Sequence, residues 1–477
     1  MRGTYGFFRP LGLALFRGEA LLFGWDAPWG WALVSGALHL LNALLLAELL
    51  RRLGAGTVGA AAGAALFAVS PWASEALFWT SAQPDLLAVA ALLTAVLAGL
   101  AGEDARGRRR AGLLGIAFLA GALALLSKEM AITLPVLYLL VALAASPAGA
   151  RDALRRAAAP TTGFAALSLG YLALRGVVLP DLTGPYGRFT DLVRAGTLLP
   201  SVAGQLGAIV LPPFFAGDAF REAGAAGQAI FAALLATAVF LAFRDRRRAA
   251  LLLALALVVS FAPVIWSVPP PGSTAGGRVR YLPGLFACAL FALGVSRSAT
   301  ETRRARGRET LAVAAILLGL ISLATQRRLW GVAASLSRQS IAQVRALAPL
   351  TEPIFVTNLP FALAEGPYVL KSYAFRYALG ADAVQGVRAN AVTYEIRGDA
   401  LVAVHTEPDP FSDSLSAPPP DTSALSCSIS RRRRPWSQSS VNSRRQSAVS
   451  ANAGCPSRRR TWFSRTSASI AVRMKQR

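Results

Sequence analysis

The sequence predicts an all-α polytopic membrane protein with about ten transmembrane helices and a small extramembrane C-terminal region. Of its 477 residues, 54% are hydrophobic and only 16% are charged, and the mean hydropathy is +0.47. A water-soluble protein would need polar helix faces to accommodate this composition, and the chain lacks them. Its apolar blocks are roughly 15 to 22 residues long, which is about the length that crosses a ~30 Å hydrocarbon layer.

Ten of these blocks are predicted to be spanning helices. Backbone amides in lipid must be satisfied within their own segment, so the Ala- and Leu-rich blocks are expected to be helical. Their many small residues suit close helix packing. The predicted spans are residues 29–50, 57–71, 84–101, 111–127, 130–146, 160–179, 226–243, 248–267, 281–297 and 309–325. A further apolar stretch, residues 194–211, is predicted to lie at the outer interface or to re-enter without crossing.

Arginine-rich connectors set the predicted orientation, because short basic loops stay in the cytoplasm. These connectors are residues 51–52, 106–110, 151–156, 244–248 and 303–308. The other connectors are acidic or rich in proline and are assigned to the outer face. A cation on that face breaks the usual bias and is a candidate for binding an anion. The alternative for each such cation is a solvated or snorkelling side chain.

The chain is predicted to divide into four regions. Residues 1–28 form an outer N-terminal segment that we expect to be truncated, residues 29–326 form the transmembrane domain, and residues 327–410 form a small extracytoplasmic region. Residues 411–477 hold 17 Ser and 13 Lys or Arg but only two Asp. We expect them to be a disordered basic tail that is translated out of frame. Because the predicted topology places this tail outside, nucleic acid is not an expected partner.

Within residues 327–410 the pattern predicts a helix over 342–350, a short strand at 354–356 and a hairpin formed by 391–397 and 400–405. The three cysteines, Cys288, Cys427 and Cys455, have no metal-ligand spacing and form no even-numbered disulfide framework. No metal site is therefore predicted.

Two polar features accompany the first predicted span. Arg9 precedes Pro10 before the span, which is a common arrangement at a helix entry. His39 and Asn42 lie three positions apart inside the span, on one helix face. Polar side chains in lipid usually face a cavity or a partner helix, so the alternatives for this pair are a functional site and interhelical hydrogen bonding.

The next outer segments carry paired charges. Glu75 and Asp85 flank Trp79 in a loop that is either a membrane-interface belt or a polar cleft at a cavity mouth. Lys128 and Glu129 occupy a tight corner between two apolar blocks. They are either a local ion pair or a phosphate-anchoring lysine that is oriented by its neighbouring carboxylate.

A third outer segment brings two cations and a phenol to the start of a helix. Residues 276–283 read Gly-Gly-Arg-Val-Arg-Tyr-Leu-Pro and include Arg278, Arg280 and Tyr281. Glycines allow backbone amides to approach a ligand, and a helix N-terminus favours anions. Of the outer segments, this one is most typical of a phosphate or pyrophosphate clamp.

The order of these motifs resembles that of the C-type membrane glycosyltransferases, and most of all the O-mannosyltransferase type that often carries tetratricopeptide repeats. The similarity covers roughly residues 5–380 and includes Asn-Leu-Pro at 358–360. It implies an enzyme that takes a sugar from a polyprenyl-phosphate carrier, its donor substrate, and delivers it to an unidentified acceptor on the outer face of a bacterial inner membrane. No other cofactor is implied.

The resemblance also implies roles for the outer side chains. The residues expected to bind the carrier phosphate are Lys128, Arg278, Arg280, Tyr281 and Arg9. The residues expected to line the acceptor cleft are Glu75, Asp85, Glu129, Trp79 and His39. A transfer of this kind needs a carboxylate to deprotonate the acceptor and cations to hold the leaving phosphate.

The chain departs from the family pattern at several positions, and two other functions stay open. The family usually has histidines near Ser70 and Ala73, an arginine at Gln83, and histidine and asparagine at Ala32 and Ser35. Its acidic base lies upstream of the position of Phe8, in a loop that this sequence lacks, so an inactive remnant is one alternative. A transporter or flippase is the other, although nearly all charges here lie at helix ends and Arg175 is the main exception.

Overall fold

The computed structural model describes residues 7–24, 27–146, 149–179, 196–212, 221–265, 276–296, 302–345, 355–363, 367, 369, 388–397 and 400–408. Its helices are α1 Pro10–Phe23, α2 Pro28–Arg52, α3 Gly56–Ala68, α4 Ser74–Phe78, α5 Gln83–Asp104, α6 Gly107–Ser127, α7 Leu134–Ala145, α8 Ala150–Val178, α9 Leu198–Val210, α10 Arg221–Asp245, α11 Arg247–Ser260, α12 Tyr281–Val295 and α13 Thr302–Arg345. Short 3-10 turns are Pro71–Ala73, Thr80–Ala82, Glu129–Thr133, Ala262–Val264 and Gly277–Arg280.

The predicted class, a polytopic helical membrane protein, is confirmed. Within the described ranges eight helices are long and apolar enough to cross a membrane. A ninth span is formed if α3 and the segment Pro71–Phe78, which meet at a 45° bend, count as one. The remaining predicted span, residues 130–146, corresponds to the shorter apolar segment Glu129–Ala145. The exact number of ten therefore stays a prediction. Helix α9 has 13 residues, about 20 Å, which is shorter than the hydrocarbon layer.

Burial separates the central helices from those that face lipid. Every residue of α12 is buried, which suits a sequence that is apolar on all sides. In α5 most residues are also buried. The other long helices expose large apolar side chains such as Leu40 on α2, Leu119 on α6 and Phe240 on α10. An exposed apolar surface of this extent is expected of helices that contact lipid.

Glycines allow the helices around α12 to approach closely. A Cβ atom at Gly294 would overlap the backbone carbonyl of Ala238 on α10, and one at Gly63 on α3 would overlap the Ala292 and Leu50 side chains. The predicted use of small residues for helix packing is thus observed at the centre of the bundle.

Two helix boundaries differ from the sequence-based expectation. Helix α8 begins at Ala150, ten residues before the predicted span, and contains Pro160 in its interior. Helix α13 continues to Arg345, past the predicted end at residue 325. Hydropathy identifies only the part of a helix that fits the hydrocarbon layer, and both helices extend beyond it into charged sequence.

Contacts between the basic connectors join them at one end of the bundle. Arg308 of α13 contacts Asp245 at the end of α10 and the carbonyl oxygen of Ser296. The hydroxyl group of Ser296 donates to the carbonyl oxygen of Ala55, 2.9 Å away. Three connectors that the sequence assigns to the cytoplasmic side therefore meet.

The chain divides into two compact units, residues 1–216 with 220–331, and residues 217–219 with 332–477. In the second unit, β1 Phe355–Leu363, β2 Arg388–Arg397 and β3 Ala400–Pro408 form a sheet in the order β1-β2-β3. Strand β1 is parallel to β2, and β2 is antiparallel to β3 with Arg397 opposite Ala400. The predicted hairpin and strand are confirmed. The predicted tail, residues 411–477, lies outside the described residues.

Candidate functional site

Seven charged side chains from distant parts of the first unit form one electrostatic cluster at the end of the bundle where α5 and α12 begin. The members of this charged cluster are Arg9, Glu75, Asp85, Lys128, Glu129, Arg278 and Arg280. Six of them form three ion pairs, and the charge of Lys128 also interacts with those of Arg9 and Arg278. All the outer charged residues expected at the site are therefore brought together.

A break after α6 directs Lys128 into the bundle. Lys128 has an extended backbone with φ −158° and ψ 140°, so α6 ends at Ser127 and the next residues form a 3-10 turn. The ammonium group contacts Asp85 Oδ1, and both side chains are buried. Asp85 lies in the first turn of α5 after Pro84, where the helix dipole favours a carboxylate. The partner of Lys128 is thus Asp85, 43 positions away, and not its neighbour Glu129.

The second pair joins Glu75 on α4 to Arg278 before α12. The backbone N–H of Arg278 donates to Glu75 Oε2 at 3.1 Å, and Arg278 Nε lies 3.9 Å from Glu75 Oε1. Gly276 has φ 70°, a left-handed conformation that favours glycine and turns the chain toward Glu75. The guanidinium carbon of Arg278 lies 4.3 Å from the centre of the Trp79 ring, a cation–π contact.

The indoles of the predicted outer loop have different surroundings. Trp79 is partly exposed beside Arg278. Trp72 is buried in the core against Gly284 of α12 and the Phe231 ring. Trp72 is thus part of the core, because the bend after α3 turns this residue inward.

Arg280 is buried at 2% exposure and interacts electrostatically with Glu75. Burial of a guanidinium is costly unless carboxylates or bound anions compensate for it. Arg280 directly precedes α12 and therefore lies at the same end of the bundle as Arg278. Arg280 is therefore directed inward and does not snorkel, whereas the Arg278 side chain is 22% exposed.

The third pair fixes the N-terminal segment to the bundle. Arg9 Nε donates to Glu129 Oε2 at 2.8 Å, and Arg9 Nη2 contacts Glu129 Oε1, so the contact is bidentate. Helix α1 then packs Gly12 against Pro84. Arg9 thus pairs with Glu129, a residue 120 positions away in the sequence.

Burial and neighbouring charges change the titration of two residues at the α6 corner. Burial, partly offset by the Asp85 carboxylate, lowers the pKa of Lys128 to about 8. For Glu129, burial favours the neutral acid, but the Arg9 and Lys128 cations outweigh it and lower its pKa to about 2. At neutral pH this corner therefore carries a stable carboxylate and a lysine that is close to its titration range.

Tyr281 contacts both His39 and Asn42 inside the helix bundle. The Tyr281 hydroxyl oxygen is 2.8 Å from His39 Nδ1 and accepts a hydrogen bond from Asn42 Nδ2 at 3.1 Å. His39 is about 16 Å along α2 from its first residue. The resemblance assigns these two residues to the cleft and the phosphate, whereas their side chains are engaged within the helix bundle.

The sequence-based prediction missed two polar contacts near the cluster. Glu19 of α1 is buried and accepts a hydrogen bond from Gln83 Nε2 at 2.7 Å. Burial, opposed by this hydrogen bond, raises the pKa of Glu19. Arg175 Nη1 lies 3.3 Å from the Tyr171 hydroxyl, which interacts electrostatically with Arg9. A charged residue within an apolar stretch can indicate such a contact from the sequence. Arg175 was identified in this way, whereas Glu19 was not.

In the part of the chain that the structure describes, no group of three or more His, Cys, Asp and Glu side chains could hold a metal ion. The carboxylates of the charged cluster each face a cation. The cations of the cluster can therefore exchange a carboxylate partner for another anion such as a phosphate.

The protein is a multi-pass helical bundle with a buried charged cluster at one end, and part of its sequence is similar to a known protein family. Residues 9–172, about a third of the chain, match the family of dolichyl-phosphate-mannose-protein mannosyltransferases. The Drosophila melanogaster protein O-mannosyl-transferase Tmtc2 is 36% identical over 134 residues, which are 28% of this chain and 14% of the fly protein. The resemblance to C-type membrane glycosyltransferases of the O-mannosyltransferase type is thereby confirmed for the matched part.

Solved structures of membrane transferases are also similar to the chain. ArnT from Cupriavidus metallidurans bound to undecaprenyl phosphate is 15% identical, with 84% of this chain and 87% of that chain covered and a TM-score of 0.45. The Archaeoglobus fulgidus oligosaccharyltransferase tethered with an acceptor peptide is 14% identical, with 81% and 56% covered and a TM-score of 0.44.

Proposed function

We propose that the protein is a membrane glycosyltransferase that moves a sugar from a polyprenyl-phosphate carrier to an acceptor on the extracytoplasmic face. The charged cluster is the observation that carries this proposal. Lys128 and Asp85 have side chains only 4% and 2% exposed, and Glu75 is 1% exposed. Burying so many charges is expensive, so their concentration at one end of a helical bundle favours a functional explanation.

The charge of the cluster matches the donor. Arg9, Lys128, Arg278 and Arg280 are four cations, and Glu75, Asp85 and Glu129 are three carboxylates, which leaves one positive charge when all are ionised. A polyprenyl-phosphate sugar is a phosphodiester with one negative charge. Its binding would therefore neutralise the cluster, which is favourable in an environment of low dielectric constant.

The side chains divide by charge into two roles. In this proposal Lys128, Arg278, Arg280 and Arg9 bind the carrier phosphate and stabilise the negative charge that develops as it leaves. Glu75, Asp85, Glu129 and Trp79 line the acceptor side, and a partly exposed indole can stack on a sugar ring.

The reaction is a nucleophilic substitution at the anomeric carbon. A hydroxyl oxygen of the acceptor forms a bond to that carbon, the bond from the carbon to the phosphate oxygen breaks, and polyprenyl phosphate leaves with the electron pair. The acceptor proton passes to a carboxylate acting as general base. The cations lower the barrier because the phosphate gains negative charge in this step.

The proposal includes the location and the partners. A multi-pass protein of the bacterial inner membrane would hold the cluster at the outer face, since the basic connectors meet at the opposite end. Its partners would be membrane lipid, the lipid-linked sugar and an acceptor. Labelling of Trp79→Cys with an impermeant maleimide, in a chain whose Cys288, Cys427 and Cys455 are replaced by alanine, tests the orientation. Labelling only from the cytosolic side would refute it.

Sugar transfer in isolated membranes tests the activity. Membranes that contain the full chain are given polyprenyl-phosphate mannose, and we expect Lys128→Ala to abolish transfer to membrane acceptors. The control is Arg51→Ala, which removes an exposed arginine paired with Glu48 at the other end and should keep the wild-type rate. Transfer retained by Lys128→Ala would refute the role of the cluster.

A transporter or flippase would give a different result in the same membranes. Sealed vesicles would accumulate the sugar or its carrier on one side without any glycosylated product. Product formation that depends on Lys128 favours the transferase, since translocation alone forms no new glycosidic bond.

A further inference from the structure

Three buried side chains, His39, Asn42 and Tyr281, connect α2 to three other parts of the bundle. Tyr281 begins α12, and its hydroxyl oxygen accepts from Asn42 Nδ2 at 3.1 Å and lies 2.8 Å from His39 Nδ1. His39 Nε2 lies 3.0 Å from the carbonyl oxygen of Ala68, and Asn42 Nδ2 donates to that of Leu86 at 2.9 Å. The three side chains thus form one continuous set of hydrogen bonds.

The acceptors in this set fix its proton positions. A backbone carbonyl oxygen can only accept, so His39 Nε2 carries a hydrogen and donates to Ala68. In the neutral ring His39 Nδ1 is then the acceptor, and the Tyr281 hydroxyl donates its hydrogen to it. Tyr281 in turn receives a hydrogen from Asn42, so each contact has a defined direction.

Each connection ends beside a segment that bears part of the charged cluster. Tyr281 directly follows Arg280, and Leu86 directly follows Asp85. Ala68 is the last residue of α3, just before the bend that leads to Glu75. The set therefore joins the three segments on which two carboxylates and two arginines of the cluster lie.

The contacts are isolated from water. His39 is 6% exposed, and Asn42 and Tyr281 are fully buried. The Phe67 ring covers them, with its centre 5.0 Å from that of Tyr281 and 5.5 Å from that of His39. Water cannot replace a hydrogen bond lost in such a place, so these contacts favour one arrangement of the surrounding helices.

We propose that His39, Asn42 and Tyr281 are positioning residues whose hydrogen bonds hold the segments of Glu75, Asp85 and Arg280 in register. Their effect on sugar transfer rests on the proposed function, whereas their effect on the spacing of the segments does not. Tyr281 acts here through its neighbours, because its hydroxyl group is already engaged by two side chains.

Disulfide trapping measures the spacing directly. A Cβ atom at Gly277 would lie 3.4 Å from Glu75 Cβ, close to the Cβ separation in disulfides, about 3.5–4.5 Å. The double variant Glu75→Cys/Gly277→Cys is made in the full chain with Cys288, Cys427 and Cys455 replaced by alanine. We expect it to cross-link rapidly under mild oxidation.

Adding Tyr281→Phe to this pair should slow the cross-link at least about fivefold, since two buried groups lose their partner. The matched control is Tyr138→Phe, which removes a buried tyrosine hydrogen bond to Glu103 of 2.6 Å in the half of α5 away from Asp85, and should leave the rate unchanged. An equal rate with and without Tyr281→Phe would overturn the inference.

Conservative replacement distinguishes positioning from general stability. In the cross-linking background, His39→Gln can still accept from Tyr281 and donate to Ala68, so it should stay within about twofold of the parent rate, whereas His39→Leu should match Tyr281→Phe. Equal rates for His39→Gln and His39→Leu would also overturn the inference.

Transfer kinetics separate this inference from the proposed function. In the native-cysteine chain, Tyr281→Phe should lower kcat about tenfold and change KM for polyprenyl-phosphate mannose less than threefold, because misaligned cations stabilise the transition state less well. A normal kcat would contradict the positioning role in transfer. Absence of transfer by the wild-type chain would refute the proposed function, and the cross-linking result would still decide the inference.

Discussion

The ammonium group of Lys128 contacts Oδ1 of Asp85 inside the helix bundle, where the two side chains are 4% and 2% exposed. The pair joins the corner after α6 to the first turn of α5. A charge left in such a place without its partner is strongly unfavourable. The pair therefore has two roles: the two charges stabilise each other in the interior, and Lys128 is proposed to bind phosphate. Mutations can distinguish these roles.

Removing the carboxylate alone should destabilise the protein. We expect Asp85→Asn to cost about 3–5 kcal/mol because Lys128 stays buried and loses its counter-charge. The measurement is the thermal unfolding midpoint in detergent, with Glu48→Gln as control, since loss of that exposed pair should cost less than about 1 kcal/mol.

The double variant Asp85→Asn/Lys128→Met should recover most of the lost stability, because no unpaired charge is left in the interior. It should nevertheless transfer no sugar, because the phosphate-binding cation is absent. A double variant as unstable as Asp85→Asn alone would contradict the assignment of the cost to the unpaired lysine.

Donor binding should weaken at alkaline pH. Burial lowers the pKa of Lys128 to about 8, so the folded protein loses this positive charge as the pH rises through that value. The donor phosphodiester keeps its charge, and the dissociation constant should increase about tenfold between pH 7 and 9.5. Lys128→Arg should flatten the profile, since arginine stays charged.

Stability should change in the opposite direction over the same range. An unfolded lysine titrates near pH 10.4, so between about pH 8 and 10.4 the unfolded chain binds more protons than the folded chain at this position. The contribution of Lys128 therefore raises the free energy of unfolding as the pH increases. Comparison with Lys128→Met isolates this contribution, and equal slopes for both proteins would contradict it.

The bidentate contact of Arg9 with Glu129 should be specific for arginine. Arg9→Lys keeps the charge but cannot present two parallel N–H donors, and we expect about a fivefold loss of transfer. The control is Arg17→Lys, an exposed position on the same helix. Equal losses for both variants would contradict a specific role for the bidentate contact of Arg9.

Close helix packing should depend on Gly294. A Cβ atom there would overlap the Ala238 carbonyl, so Gly294→Ala should lower the thermal midpoint, whereas Gly36→Ala meets no atom within 4 Å. Alanine is the better helix former by about 1 kcal/mol, so Gly36→Ala should be neutral or stabilising. A Gly294→Ala protein as stable as the wild type would mean that α10 and α12 can move apart.

The sequence alone is enough to predict the class, the positions of the helices and the residue types of the site. Apolar blocks long enough for lipid can only be helices there, and the basic connectors marked one end. Arg9, Glu75, Asp85, Lys128, Arg278 and Arg280 could be identified because charges next to apolar helices are exceptional. The hairpin over residues 391–405 followed from alternation and a short turn.

The pairing of these charges follows only from the way the helices pack. Sequence proximity favours Lys128 with Glu129, yet the extended backbone at Lys128 directs the two side chains apart, to Asp85 and to Arg9. Burial of Glu19 and the inward turn of Trp72 depend on the bend after α3 and the docking of α1. Such pairings are set by how separate helices pack, and no local pattern encodes the distance between residues 43 or 120 positions apart.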